Sequence, residues 1–248
     1  MTRTVLITGA SAGLGAEMAR QLAELGYDLA LCARRLDRLQ ELKDEILARH
    51  PDRRVEIREL DVNDHDQVFE VFHGFHAELG HLDRVVVNAG LGKGAPIGTG
   101  KFYANKETAQ TNFIGALAQT EAAVEIFREQ GTGHLVMVSS VSALRGMPRN
   151  ITAYAATKAG VANLAEGVRA ELYGTPIKVT VLYPGYIESE MSVRSAKTPL
   201  MVGTADGVRS MVRAIEKEKA SARVPEWPWV PLGAALKTLP LPIARRFM

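Results

Sequence analysis

The sequence has a single cysteine, Cys32, among 248 residues. No intrachain disulfide can form, and a reducing setting such as the cytoplasm is the simpler one. No uncharged apolar run approaches the roughly 18–20 residues that a membrane helix needs. At the N-terminus only Val5, Leu6 and Ile7 run apolar before Thr8 and Gly9. A signal peptide requires roughly 7–15 such residues. An excess of one charge is missing too: 30 Lys and Arg stand against 28 Asp and Glu. That balance gives nucleic acid no basic surface, and no nucleic-acid module is recognisable. The small positive excess sits in the tail, where residues 221–248 hold Arg223, Lys237, Arg245 and Arg246 against Glu226 alone. No linker, repeat or low-complexity block divides the chain. We therefore expect one domain over 1–248, with 221–248 a basic, Pro- and Trp-containing C-terminal extension.

What is present is ordinary globular material, 46% hydrophobic and 23% charged. A chain of this length can bury a core without disulfides or metals. Short apolar runs alternate with helical stretches. Strands are expected at 5–8, 28–33, 55–60, 84–87, 134–139 and 178–182. Helices are expected at 13–25, 35–49, 64–79, 103–130, 152–173 and 205–218. The alternation means βαβ units and a doubly wound parallel α/β sheet, a Rossmann-type fold with helices on both faces. The strands are continuous apolar runs, as burial on both faces demands. Ligands in such sheets bind beyond the carboxyl ends of the strands.

The first strand is followed by TGASAGLG, with Gly9, Ser11, Gly13, Leu14 and Gly15 opening a helix. Glycines permit a tight turn and close backbone approach to a pyrophosphate, and a helix N-terminus offers free N–H groups. The spacing is Gly-x3-Gly-x-Gly rather than GxGxxG. The second strand ends in Cys32-Ala33-Arg34-Arg35. An NAD site places an acid here for the ribose hydroxyl, whereas a 2′-phosphate calls for arginine. Ala33 stands in the acid's place, so Arg34 and Arg35 point to NADP(H). Asp61-Val62 follows the third strand. Asp61 could accept a bond from an adenine amino group or cap a helix, with Asp64 competing for the cap. Asn88-Ala89-Gly90 follows the fourth strand and lets backbone lie against a cofactor.

Tyr154 and Lys158 are four residues apart at an expected helix start, so they share a face. A neighbouring ammonium favours the phenolate and draws the tyrosine pKa down from about 10. Such a tyrosine can exchange a proton with a carbonyl or an alcohol.

Together these motifs resemble the short-chain dehydrogenase/reductase family, from Thr4 to about Ser189. They are TGASAGLG (8–15), DV (61–62), VNAG (87–90), Asn112 in TNFIGA, VSS (138–140), YAATK (154–158) and PGYIES (184–189). The resemblance implies a catalytic set of Asn112, Ser140, Tyr154 and Lys158. Tyr154 would be the general acid/base. Lys158 would bind the nicotinamide ribose and lower the tyrosine pKa. Ser140 would hold the substrate oxygen, and Asn112 would support a water-mediated proton relay. Pro184, Gly185 and Ile187 would line the nicotinamide, with Ser189 where the family often has Thr. Two features depart from the family. Ser140 and Tyr154 are 14 positions apart, one more than usual, and Ala12 stands where many NADPH-preferring members carry a basic residue.

The expected activity is NADP(H)-dependent interconversion of a ketone or aldehyde with an alcohol. Alternatives are a 3-oxoacyl reductase of fatty-acid type and a non-catalytic NADP(H)-binding protein. A sugar-nucleotide epimerase typically needs a larger C-terminal substrate domain. Residues 91–103, 141–153 and 189–205 are expected to wall the pocket, with Met147, Met191, Leu200 and Met201 giving an apolar lining. His65, His73, His76 and His81 read as solvated helix residues rather than metal ligands. A homodimer or homotetramer is expected, with Ala116, Ala123, Ala162 and Ala165 allowing close helix approach. The tail, with five prolines, Trp227, Trp229 and Phe247, has four readings: pocket cover, subunit contact, peripheral membrane contact, or packing on the body.

Overall fold

The first strand, β1 (Thr4–Thr8), is buried along its whole length. It must therefore be covered on both faces, and the rest of the fold does this. The computed structural model describes residues 3–190 and 200–245. After β1 come α1 (Gly13–Glu24), β2 (Asp28–Ala33), α2 (Leu36–Arg49), β3 (Val55–Glu59), α3 (His65–Leu79) and β4 (Arg84–Val87). Then follow α4 (Phe102–Ala109), a π-helical turn (Gln110–Ile114), α5 (Gly115–Gln130), β5 (Gly133–Val138), α6 (Thr152–Glu171) and β6 (Ile177–Pro184). The described chain closes with α7 (Thr204–Glu216), β7 (Ser221–Val224), α8 (Glu226–Thr238) and α9 (Leu241–Ala244).

The sheet has seven strands in the order β3-β2-β1-β4-β5-β6-β7, and every pairing is parallel. The strand order reverses between β1 and β4, which opens a crevice at their carboxyl ends. Alternate residues of one strand serve opposite faces. Val5 and Ile7 pack with Met18, Leu22, Leu39 and Met211 of α1, α2 and α7. Leu6 packs with Phe72, Phe75, Ile126 and Phe127 of α3 and α5. Burying one such side chain is worth about 1.5–3 kcal/mol, so these two layers hold the sheet.

Local signals set several element ends. Asp64 caps α3 by accepting a bond from the Gln67 N–H at 3.1 Å, and Gly80, at φ +78°, ends that helix. This settles the competition for the cap in favour of Asp64. Asp61 instead accepts bonds from the Asn63 N–H and side-chain amide at 3.0 and 2.8 Å.

The structure differs from the expected elements in several places, among them α8 and α9, helices in the tail where no element was expected. The single helix over 103–130 is α4 and α5 joined by the π turn, which adds a residue and redirects Asn112. The strand expected at 178–182 runs on to Pro184. β7 was not expected, because SARV is short and half polar, and it earns its place as the edge neighbour of β6. Of the alanines expected to allow close helix approach, Ala116, Ala123 and Ala165 are buried in their own chain's core, and Ala162, partly buried, packs against it. Met191 lies outside the described residues.

Candidate active site

The glycine-rich turn between β1 and α1 needs its glycines. Gly9 and Gly13 adopt φ values of +64° and +54°, which suit glycine. A Cβ on Gly15 would fall 2.4 Å from the Gly9 carbonyl oxygen and 2.8 Å from the Asn88 side-chain nitrogen. α1 begins after Ala12 with no side-chain cap, unlike α3. Its first N–H groups and the positive end of its dipole therefore face the crevice without an internal acceptor. Thr8 ties this turn to β4: its hydroxyl accepts from the Asn88 and Ala89 N–H groups, both at 3.0 Å. The Asn88 side chain in turn donates to the Thr8 carbonyl at 2.9 Å. A bare, anion-seeking cradle fits a dinucleotide pyrophosphate, with Ser11 and Leu14 on its rim.

Arg34 and Arg35 stand exposed at the end of β2. Arg35 donates to the Ser11 hydroxyl at 3.3 Å and to the Glu190 carboxylate at 3.1 Å. Arg34 makes no ion pair among the described residues. Arg35 and Ser189 bring the segment after β6 back over the glycine turn, where a Cβ on Gly13 would lie 3.3 Å from the Ser189 Cβ.

The Tyr154–Lys158 pair occupies the first two turns of α6. The Lys158 ammonium lies 5.9 Å from the Tyr154 ring centre and donates to the Val138 carbonyl at 2.8 Å. Two of its three protons are left for other acceptors. Burial lowers the Lys158 pKa to about 8. Burial also raises Tyr154, and its hydrogen bond with Ser140 pulls the other way. Taking the phenol out of water is the larger of these two effects on Tyr154.

Ser139 and Ser140 face different partners. Ser139 is buried and its hydroxyl donates to the Lys158 carbonyl at 2.7 Å, behind α6. Ser140 points the other way. Its oxygen accepts from the Ser142 N–H at 3.2 Å and the Ser142 hydroxyl at 2.9 Å. Both lone pairs are then used, and its own proton is left for the Tyr154 side. Two short 3-10 turns, Val141–Leu144 and Arg149–Ile151, lie between Ser140 and α6.

Asn112, on the π turn, holds the loop after β4. Its carbonyl oxygen accepts from the Leu91 N–H at 2.8 Å and its amide donates to the Leu91 carbonyl at 2.9 Å. A Cβ on Gly90 would fall 3.1 Å from the Asn112 oxygen and 3.5 Å from the Lys158 nitrogen, so glycine is needed there too. The side chain of Asn112 is therefore committed to positioning this loop. Pi turns of this kind cluster at functional sites because they redirect one side chain.

Pro184 and Gly185 close β6 at the same end of the sheet. Ile187 is different: its side chain packs against Gly207 of α7 inside the core. Only its backbone is left to line the crevice. Val62, 6% exposed, packs under Gly115. Of the expected pocket residues, Met147 is buried, Leu200 is half exposed and Met201 is partly buried. Outside the site, His73 faces Glu125 at 3.8 Å and His81 faces Asp83 at 3.7 Å.

Three contributors escaped sequence reasoning. Thr8 looked like a strand residue, and its bonding is visible only when β1 and β4 are neighbours. Glu190 meets Arg35 across 155 positions of sequence. Trp229 lies against Gly185, and only its place in a Trp-Pro-Trp run set it apart.

A family model described as short chain dehydrogenase matches residues 3–199. An uncharacterized oxidoreductase of Mycobacterium tuberculosis is 56% identical over 98% of this chain and 96% of its own length. Another, of Myxococcus xanthus, is 37% identical over 97% and 94%. Among solved structures, the closed form of serine dehydrogenase complexed with NADP+ aligns at a TM-score of 0.80 and 26% identity. That alignment covers 90% of this chain and 94% of the other.

Proposed function

The chain belongs to the short-chain dehydrogenase family, and from that premise we propose that it is an NADP(H)-dependent oxidoreductase interconverting a ketone or aldehyde with an alcohol. The observation that carries this reading is the cluster of Ser140, Tyr154 and Lys158 at the carboxyl end of β5. The cofactor supplies a hydride when bound. In the reducing direction Ser140 donates a hydrogen bond to the substrate carbonyl oxygen. Tyr154 gives that oxygen its proton as the carbon is reduced, so the product is the alcohol. Lys158 offers its remaining protons to the cofactor ribose and to the tyrosine oxygen as it becomes negative. Asn112 keeps the loop at Gly90 in place and supports a proton path by position.

Gly9, Ser11, Gly13, Leu14 and Gly15 would hold the pyrophosphate. Asp61 and Val62 would meet the adenine, and Asn88, Ala89 and Gly90 the adjoining ribose. Pro184, Gly185, the Ile187 backbone and Ser189 would line the nicotinamide. Preference for NADP(H) rests on Arg34 and Arg35 in the absence of an acid at Ala33. No described helix is long and apolar enough to cross a membrane, and we take the enzyme to act on a small carbonyl compound in the cytoplasm. We also propose assembly as a homodimer or homotetramer, as the family commonly shows.

The test is Tyr154→Phe. This removes the hydroxyl that exchanges the proton and little else. Turnover of a carbonyl substrate should fall about 10²–10⁴-fold, the usual share of general acid–base catalysis. NADPH affinity should be kept. Undiminished turnover would overturn the mechanism.

A further inference from the structure

The C-terminal segment turns back onto the site. α8 packs over β7 and over the 3-10 turn that follows Ser140. Gly233 permits this approach, since a Cβ there would fall 2.6 Å from the Leu144 side chain. Arg145 pins the far end by donating to the Leu236 and Leu239 carbonyls.

Within α8, Trp229 is 4% exposed and meets Tyr186 edge to face, with ring centres 4.9 Å apart. Its indole nitrogen lies against Gly185, where a Cβ would come within 2.0 Å of it. Yet this N–H has no acceptor. It is one of three buried side-chain atoms without a partner among the described residues, with Gln119 Oε1 and His134 Nδ1. His134 sits near the amino end of β5 and Gln119 within α5. Only Trp229 stands at the carboxyl ends of the strands, beside the residue proposed to line the nicotinamide. A buried donor left unmade is costly, and native structures rarely keep one without a use.

We propose that the Trp229 indole N–H donates a hydrogen bond to a carbonyl-type oxygen of a ligand bound against Pro184–Gly185, and that α8 is thereby a wall of the active site. The inference rests on the reading of the chain as an NADP(H) oxidoreductase. Two ligands bring such an oxygen to this place: the nicotinamide carboxamide and the carbonyl substrate. Either makes Trp229 a residue that selects for an oxygen acceptor, where an apolar wall would select only for shape.

The experiment compares the intact chain with Trp229→Phe and with an isosteric replacement. In a Trp227→Phe chain, Trp229 is the sole tryptophan, and β-(3-benzothienyl)alanine in its place keeps the bicyclic ring while sulfur replaces the N–H. The Kd of NADP+ is measured by calorimetry. The KM at saturating NADPH is measured for the best substrate of an aldehyde and ketone panel. Loss of a neutral hydrogen bond should weaken one of these constants about 2- to 10-fold. The isostere should match the thermal midpoint of its Trp227→Phe parent, which separates the lost donor from lost packing. A raised Kd for NADP+ assigns the carboxamide, and a raised KM alone assigns the substrate. If both constants equal those of the parent in the isosteric protein, the proposal is overturned. Failure of the underlying reading looks different: the intact chain would then bind neither NADP+ nor NADPH.

Discussion

Ser139 and Ser140 are adjacent, chemically identical and assigned opposite duties by the structure, so their alanine variants test the site's register. Ser139→Ala deletes a buried bond to the Lys158 carbonyl at 2.7 Å. Such a bond is worth about 0.5–1.5 kcal/mol net. For a chain of this size, each kcal/mol lowers the thermal midpoint by about 2–4 °C. A drop of about 1–6 °C is therefore expected. Ser140→Ala removes the acceptor for the Ser142 N–H and hydroxyl. Loss of such a cap costs about 0.5–2 kcal/mol, a comparable drop. Stability therefore does not separate the two variants, but turnover does. Ser140 is the serine bonded to Tyr154, and removing one donor aimed at a reacting oxygen typically costs about 10²–10³ in kcat. Ser139 Oγ faces the back of α6, so its loss should leave kcat within about threefold, the range of a small positional change. The assay is NADPH-dependent ketone reduction followed at 340 nm, beside thermal unfolding by circular dichroism. Equal losses of turnover, or a larger one for Ser139→Ala, would show that the register after β5 is wrong.

Replacing Arg34 and Arg35 together by alanine should weaken NADPH at least tenfold while leaving NADH nearly unchanged. Charge-assisted bonds are worth about 1.5–3 kcal/mol when formed, less where exposed; calorimetric titration of both cofactors checks this. Cofactor affinity should fall as pH rises through about 8, where Lys158 loses its proton. The stability sign is opposite. With its pKa lowered from 10.5, Lys158 binds fewer protons folded than unfolded between the two values, so its burial cost is relieved as pH climbs from about 8 to 10.5. Affinity that stays flat across pH 7–10 would exclude the lysine from ribose binding. His134 sets an acid limit. Burial, with Arg84 beside it, lowers its pKa from 6.5 to about 3. The unfolded chain then binds the extra proton, so stability is complete above pH 6.5 and is lost as pH falls toward 3. His134→Gln should flatten that limb in urea titrations at pH 4–7.

The sequence by itself determined six of the seven strands and which residues gather at their carboxyl ends. Both signals are local in sequence: apolar runs of strand length, glycines that must take positive φ, and Tyr154 with Lys158 one helical turn apart. β7 escaped because an edge strand needs only one paired side, so SARV carries little apolar pattern. The π turn escaped because α4 and α5 share one helical periodicity, and the extra residue that redirects Asn112 leaves no mark on it. Only the fold could choose Ser140 over Ser139, since that choice depends on which hydroxyl the end of β5 turns toward α6. Only the fold could also show that the Tyr154 phenol is taken out of water, which raises its pKa. The tail shows the division best. Composition left four roles open for it, and contact decided one point, that it packs on the body: Gly233 lies against Leu144 and Trp229 against Gly185. Those partners lie far apart in sequence, so the decision rests on a close approach that no local pattern encodes.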